Sequence, residues 1–151
     1  MSPQIQALDM QGYEIFNLGS STTAGTAIPF PTLTDYTPTF GGFGTDPTGT
    51  VAQYLTIGPL VVVFIRQPNT GVSNATTFTI SAPVAAKTLT NAVWGTTGPI
   101  VDNSAAVATS GRIEITSGSS TINLYTNMAA AGWTNVNNKR VVWFTLIYPF
   151  Q

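Results

Sequence analysis

After residue 31 the chain is a succession of short segments rich in Thr, Val, Ile, Phe and Tyr, separated by turn residues, which is the pattern of an all-β chain. Apolar residues are nowhere spaced three and four positions apart for long enough to predict an ordinary helix. Short helical turns are predicted only at residues 104–108 and 127–131, the second capped by Asn127. The predicted strands are residues 53–57, 60–66, 76–81, 112–116, 121–125 and 140–148, with weaker candidates at 36–40 and 88–93. We therefore predict an all-β fold, an antiparallel sandwich or barrel of about six to eight strands.

The clearest hairpin joins residues 112–116 to residues 121–125 through a turn of Ser and Gly. Four apolar side chains of this hairpin share one face: Ile113, Ile115, Ile122 and Leu124. Glu114 and Asn123 lie on the opposite face. We expect that face to contact solvent.

Two other strands, residues 60–65 and 141–148, are apolar at both alternating sets of positions, so both of their faces need cover. Either these strands lie at the centre of a thick sandwich, or one face fills the core while the other packs on a symmetry mate. We favour the second alternative because the chain carries so little charge. The candidate core or interface residues are Val61, Val63, Ile65, Val142, Phe144 and Leu146.

The composition supports association and excludes some partners. Hydrophobic residues make up 43% of the chain and charged residues only 7%, against roughly 25% charged in an ordinary domain. Five basic residues and a net charge of −1 provide no patch for nucleic acid. The apolar runs are far shorter than the roughly 20 residues that cross a bilayer. We predict neither a nucleic-acid partner nor a membrane partner.

Catalytic chemistry has few routes in this chain, because His and Cys are both absent. The usual general base, the thiolate nucleophile and the common zinc ligands are therefore missing. Lys87 and Lys139 lack a nucleophile motif and are interpreted as surface lysines. Asp102 and Glu114 are the alternative, as a carboxylate pair for glycoside hydrolysis, but the carboxylates are scattered singly. We predict no enzyme activity, no catalytic residue, no metal and no cofactor.

The tryptophans have two interpretations. Four aromatic residues are candidates for a platform on which a sugar ring stacks, with core or interface packing as the alternative: Trp94, Trp133, Tyr125 and Phe43. Trp94 and Trp133 stand beside Gly95 and Gly132 in turn-rich sequence and are the candidate contacts for a glycan. Trp143 lies inside a strongly apolar strand, which favours packing.

The chain divides near the two prolines Pro29 and Pro31, which follow a run of small residues. Residues 1–28 are predicted to be an attachment segment with a linker, and residues 32–151 a β-domain. The first part is predicted to form a hairpin that turns at Gly12, but two strands alone are marginal in water. It should be ordered only against another chain. No secretory signal is evident at the start, which favours synthesis in a cytoplasm.

Residues 8–18 resemble the L-D-M-x-G-x-x-I-x-N-L segment of bacteriophage tail-fibre and head-fibre proteins. The matching residues are Leu8, Asp9, Met10, Gly12, Ile15, Asn17 and Leu18. Residues 36–42 and 53–61 resemble the opening of a trimeric β-domain at the C-termini of phage tail and virion-surface proteins. The resemblance implies a homotrimer on the virion, made in the host bacterial cytoplasm, with an N-terminal segment bound to a capsid or tail protein and an outward-facing β-domain.

The sequence and the resemblance leave three functions to compare. The first is a capsid decoration protein or short head fibre, tied to the particle through residues 1–28. The second is a receptor-binding tail fibre or tail-tip protein whose loops contact host surface glycans. The third, a capsular depolymerase, is disfavoured by the missing His and the sparse carboxylates.

Overall fold

A computed structural model describes residues 31–151 of the chain. The attachment segment predicted at residues 1–28, with its hairpin around Gly12 and the motif at residues 8–18, lies outside the described residues. The strands in the described part are β1 Thr34–Asp35, β2 Phe40–Gly41, β3 Val51–Ile57, β4 Leu60–Arg66, β5 Phe78–Ser81, β6 Val93–Gly98, β7 Ile100–Asp102, β8 Ala105–Ala106, β9 Gly111–Thr116, β10 Thr121–Leu124, β11 Arg140–Val141 and β12 Trp143–Pro149.

The strands form a β-sandwich, which confirms the all-β prediction and decides between sandwich and barrel. The first sheet has the order β1-β3-β4-β12, and the second has the order β2-β5-β10-β9-β6. A small third sheet has the order β11-β7-β8. Every pair of neighbouring strands is antiparallel.

The core lies between the two large sheets and is built from alternate residues of each strand. In the first sheet, β4 buries Val61, Val63 and Ile65, while Leu60 and Arg66 are exposed. In the second sheet, the predicted hairpin is confirmed as β9 and β10. Its four apolar residues are buried in facing pairs, with Ile122 opposite Ile115 and Leu124 opposite Ile113.

The single strand predicted at residues 140–148 is in fact two strands that belong to different sheets. Strand β11 pairs with β7 of the third sheet, whereas β12 pairs with β4 of the first sheet. The chain crosses between them at Val142, whose N–H donates to the carbonyl of Pro99 and whose carbonyl accepts from the N–H of Gln67. Strand β12 is apolar on both faces, since Phe144 and Leu146 are buried while Trp143 and Ile147 are exposed.

Four local predictions are wrong. Of the strand expected at residues 36–40, only Phe40 lies in a strand, β2. The strand expected at residues 88–93 begins only at Val93 and continues to Gly98. The helical turn expected at residues 104–108 is occupied by β8, which pairs with β7. Residues 127–131 form a tight turn rather than a helix, although Asn127 does cap it, since its side-chain oxygen accepts from the N–H groups of Ala129 and Ala131.

Lys139 is buried, not on the surface as its sequence context suggested. Its ammonium group donates to the carbonyl of Ala75 at 2.9 Å and to the carbonyl of Thr134, and it lies 5.0 Å from the centre of the Phe78 ring. Burial lowers the pKa of Lys139, and the charge of Asp102 acts in the opposite direction. A buried ammonium needs such partners, and here they tie the segment after β10 to the core.

The buried tyrosines predict a loss of stability at alkaline pH. Burial raises the pKa of Tyr148 from 10.0 to about 12, against the opposing effect of its hydrogen bond to the carbonyl of Val84, and burial also raises the pKa of Tyr36. The folded state then holds these protons more tightly than the unfolded chain, so stability is complete below about pH 10 and is lost as the pH rises toward 12.

We expect the free energy of unfolding, measured by urea denaturation, to fall across that interval by about 1 kcal/mol for Tyr148, after allowance for solvent screening. The variant Tyr148→Phe should show a shallower fall. The same pH dependence in both proteins would contradict this assignment.

Candidate oligomer interface

The side chains of β3, β4 and β12 that point away from the core form a continuous surface, called here the outer face. Because side chains alternate along a strand, this surface is set by the register of the three strands. It consists of four rows across the sheet: Val51, Arg66 and Trp143; Gln53, Phe64 and Thr145; Leu55, Val62 and Ile147; Ile57, Leu60 and Pro149.

The outer face is strongly apolar, since eight of its twelve side chains carry no polar group and a ninth, Trp143, is polar only at its indole N–H. It also collects exposed apolar side chains. Residues 31–151 have eleven large apolar side chains that are exposed, and five of them lie here: Val51 46%, Ile57 52%, Leu60 39%, Trp143 56% and Ile147 53%. Single exposed apolar residues are ordinary, but contiguous apolar surface of this kind marks an interaction site.

Polar groups lie toward one end of the outer face. Arg66 is the one charged side chain of the twelve, and it shares its row with Val51 and Trp143. The amide of Gln53 donates to the carboxylate of Asp35 on the edge strand β1 at 2.7 Å. Away from these groups the two rows that contain Val62 and Leu60 are wholly apolar. The outer face therefore has one wholly apolar end and one end with polar groups, and protein interfaces likewise combine an apolar part with polar groups at its margin.

A shallow hollow of about 300 Å³ opens in the outer face beside Trp143. Val51, Phe64, Arg66 and Thr145 contribute to its walls. Hollows of this kind receive the aromatic or arginine side chains that dominate binding energy in many interfaces. Trp143 and Arg66 are themselves side chains of those types, so the same region supplies both an anchor and a place for one.

The size of the outer face agrees with the central part of an interface. Each of its three strands has seven residues. At about 3.4 Å per residue and about 4.8 Å between strands, the face covers roughly 24 Å by 14 Å in projection. A standard interface buries about 800 Å² on each partner. The outer face therefore supplies an apolar centre, and neighbouring loops would complete the contact.

Five of the six residues predicted as core or interface lie in the core of the single chain. Val61, Val63, Ile65, Phe144 and Leu146 are buried there. Val142 is half-buried where the chain crosses between sheets. The residues free to contact another chain are the alternate set of the same strands. The sequence indicated these residues only by the apolar character of both alternating sets of positions in the two strands. That pattern does not reveal which set faces the core.

The structure places Trp133 and Trp143 differently from the sequence prediction. Trp133 is buried, with its indole N–H donating to the carbonyl of Leu124 at 2.9 Å and its ring edge-on to Phe78 at 4.9 Å. Its assignment as a glycan contact is therefore wrong, because a ring packed in the core has no free face. Trp143, expected to be packed, is 56% exposed on the outer face.

Trp94 lies on β6, half-buried against the core and opposite Ile115. Trp133 packs on Phe78 of β5, and β10 and β9 separate β5 from β6. The structure therefore does not bring Trp94 and Trp133 together into one platform. A glycan contact by Trp94 alone stays a prediction.

The carboxylates weighed for catalysis lie in different sheets and have protein partners. Asp102 on β7 accepts from the N–H and the hydroxyl of Thr134 at 2.9 and 2.8 Å. Glu114 on β9 accepts from the guanidinium of Arg112. Within residues 31–151, no three His, Cys, Asp or Glu side chains are grouped as a metal site would require, and no helix is long and apolar enough to cross a membrane.

Comparisons with models of protein families, with curated proteins and with solved structures give no match. The outer face and the two sequence motifs are therefore the grounds for assigning a function.

Proposed function

We propose that this protein is a non-enzymatic structural subunit of a bacteriophage particle, a homotrimeric capsid decoration protein or short head fibre. The observation that carries the assembly is the outer face, with five of the exposed large apolar side chains of the described chain on one side of one sheet. The phage context rests on the resemblance of residues 8–18, and of residues 36–42 and 53–61, to virion proteins.

A second copy of the chain is the occupant that best fits the outer face. The region carries one basic group, Arg66, and one acidic group, Asp35 on the neighbouring strand, so copies would meet without net repulsion. The chain as a whole has a net charge of only −1, which provides little colloidal repulsion to keep monomers apart. Leaving the face open would create an aggregation liability.

The proposal of three chains in the assembly comes from the resemblance to trimeric phage domains. Part of that resemblance falls at residues 53–61, which span β3, its turn and the start of β4. These are two of the three strands that form the outer face. The part of the sequence that resembles a trimerising domain thus lies on strands that form the outer face. Residues 1–28 are proposed to bind the capsid.

Light scattering on the purified full chain tests the assembly. The expected mass is three times the 15.9 kDa chain mass, independent of concentration in the micromolar range. A stable monomer over that range would contradict the proposal, because it would show that the outer face needs no cover.

Electron cryo-microscopy of intact particles that carry the protein tests its location. Density for the trimer on capsid capsomers is expected. Density only at the tail would contradict a decoration role and would favour the receptor-binding alternative.

A further inference from the structure

A second surface feature lies on the opposite side of the sandwich, on the outward side of the second sheet. A pocket of about 290 Å³ opens where β5 and β10 meet the turn that follows β10. Its lining includes Thr77, Thr79, Asn123, Tyr125, Ala130 and Gly132. Ligand pockets begin at about 300 Å³. This one therefore suits a single small ring rather than an extended chain.

The pocket presents uncharged hydrogen-bonding groups on its outward-facing strands. Asn123 offers two donors and an acceptor, and the hydroxyls of Thr77 and Thr79 each donate and accept. These three side chains make no hydrogen bond to any of residues 31–151. A mixed, neutral set of donors and acceptors matches a ligand whose own groups both donate and accept, as hydroxyl groups do.

Tyr125 adds an aromatic ring to the lining, and its neighbours hold it in place. The guanidinium of Arg112 lies 5.7 Å from the centre of the ring, and its Nε donates to Glu114 at 2.7 Å. Burial, then the charge and hydrogen bond of Glu114, raise the pKa of the Tyr125 hydroxyl, while Arg112 lowers it. Arg112 and Glu114 neutralise each other beside the ring, so the surroundings favour an uncharged ligand over an anion.

The turn that forms one wall of the pocket is stabilised by its own hydrogen bonds. Asn127 accepts from the N–H groups of Ala129 and Ala131, and the hydroxyl of Thr126 donates to the carbonyls of Ala131 and Gly132. Ala130 has a φ of 58°, a left-handed conformation that costs free energy for any residue with a Cβ. Such strain persists where surrounding contacts impose it, and it occurs often at ligand sites.

We propose that this pocket binds one uncharged pyranose residue of a carbohydrate. The ring hydroxyls take the free groups of Asn123, Thr77 and Thr79, and an apolar face of the sugar packs near Tyr125. The pocket and the outer face are on opposite sides of the sandwich, so assembly through the outer face leaves the pocket open. Three copies would then bind a surface glycan with avidity beyond that of each site.

Saturation-transfer NMR on the full chain tests this inference, with methyl glucoside, methyl galactoside, methyl mannoside, methyl rhamnoside and N-acetylglucosamine as separate probes. At least one probe is expected to bind with a millimolar dissociation constant. The variant Asn123→Ala should weaken that binding about tenfold, since it removes hydrogen bonds to the ligand.

The matched control is Thr121→Ala, which changes the same strand and the same side of the sheet outside the lining. It should bind like the parent, and all three proteins should melt at the same temperature. No binding by any probe, or equal binding by Asn123→Ala and Thr121→Ala, would overturn the inference. The mass of the assembly is measured separately, so loss of sugar binding and loss of trimerisation are distinguishable.

Discussion

Replacing Ile147 with lysine is expected to convert the assembled protein into a folded monomer. Ile147 lies in the row with Leu55 and Val62, in the apolar part of the outer face. In a single chain its side chain is 53% exposed, so a lysine there can reach water without disturbing the core. In an assembly the same ammonium group would be buried against apolar side chains of another copy, at a cost of several kcal/mol. Light scattering should show the mass of one chain.

The matched control for this variant is Val93→Lys. Val93 is 51% exposed, nearly the same fraction as Ile147, but it lies on β6 at the edge of the second sheet. This substitution adds the same charge and should leave the mass of the assembly unchanged. Circular dichroism should show strand content in both variants. If the Ile147→Lys protein keeps the full mass of the assembly, the outer face is not the interface.

Trp133 and Trp143 are expected to differ sharply in their effect on the stability of the single chain. Truncating Trp133 to alanine leaves a cavity beside Phe78 and removes the donor to the carbonyl of Leu124. Such a change costs about 3–5 kcal/mol. Trp143→Ala removes an exposed side chain and should cost less than about 1 kcal/mol.

Urea denaturation in the Ile147→Lys background separates these effects from assembly, because the chain is expected to be monomeric there. In the parent protein Trp143→Ala should instead weaken the association. A larger loss for Trp143 than for Trp133 in the monomeric background would contradict the placement of both rings.

The two surfaces of the sandwich suit different tasks. The outer face is apolar, with one charged side chain among its twelve members. The second sheet presents uncharged polar groups around a pocket, with the ion pair of Arg112 and Glu114 beside it. The proposed assembly uses the first surface and the proposed sugar contact uses the second, so each can be disrupted by substitutions that leave the other intact.

Several elements could be predicted from the sequence because their signals are local. Strand β4 has the bounds that its apolar run indicated, and the β9–β10 hairpin has the pairing expected from its turn and its four apolar residues. Glu114 and Asn123 do share the opposite face, but Glu114 is only 6% exposed, because Arg112 and its surroundings cover it. The residue pattern does not predict this burial of Glu114.

The remaining errors concern contacts between residues that are distant in sequence. Lys139 is buried because carbonyl groups of Ala75 and Thr134 and the ring of Phe78 surround its ammonium group. The crossing at Val142 depends on Pro99 and Gln67. The pocket lined by Asn123 and Tyr125 combines β5, β10 and a turn in which Ala130 has a positive φ, a conformation that an alanine in the sequence does not predict.

The sequence by itself determined the all-β class, the main strands and the presence of two segments that are apolar on both faces, because the residue pattern and the turn residues act over short distances. Only the tertiary structure decided which apolar set fills the core and which remains on the outer face, since that choice depends on the sheet that packs opposite. It also placed Trp133 in the core and Trp143 on the surface. The physical reason is the same: burial is a property of the packed sheets, whereas the pattern records only which side chains can be buried.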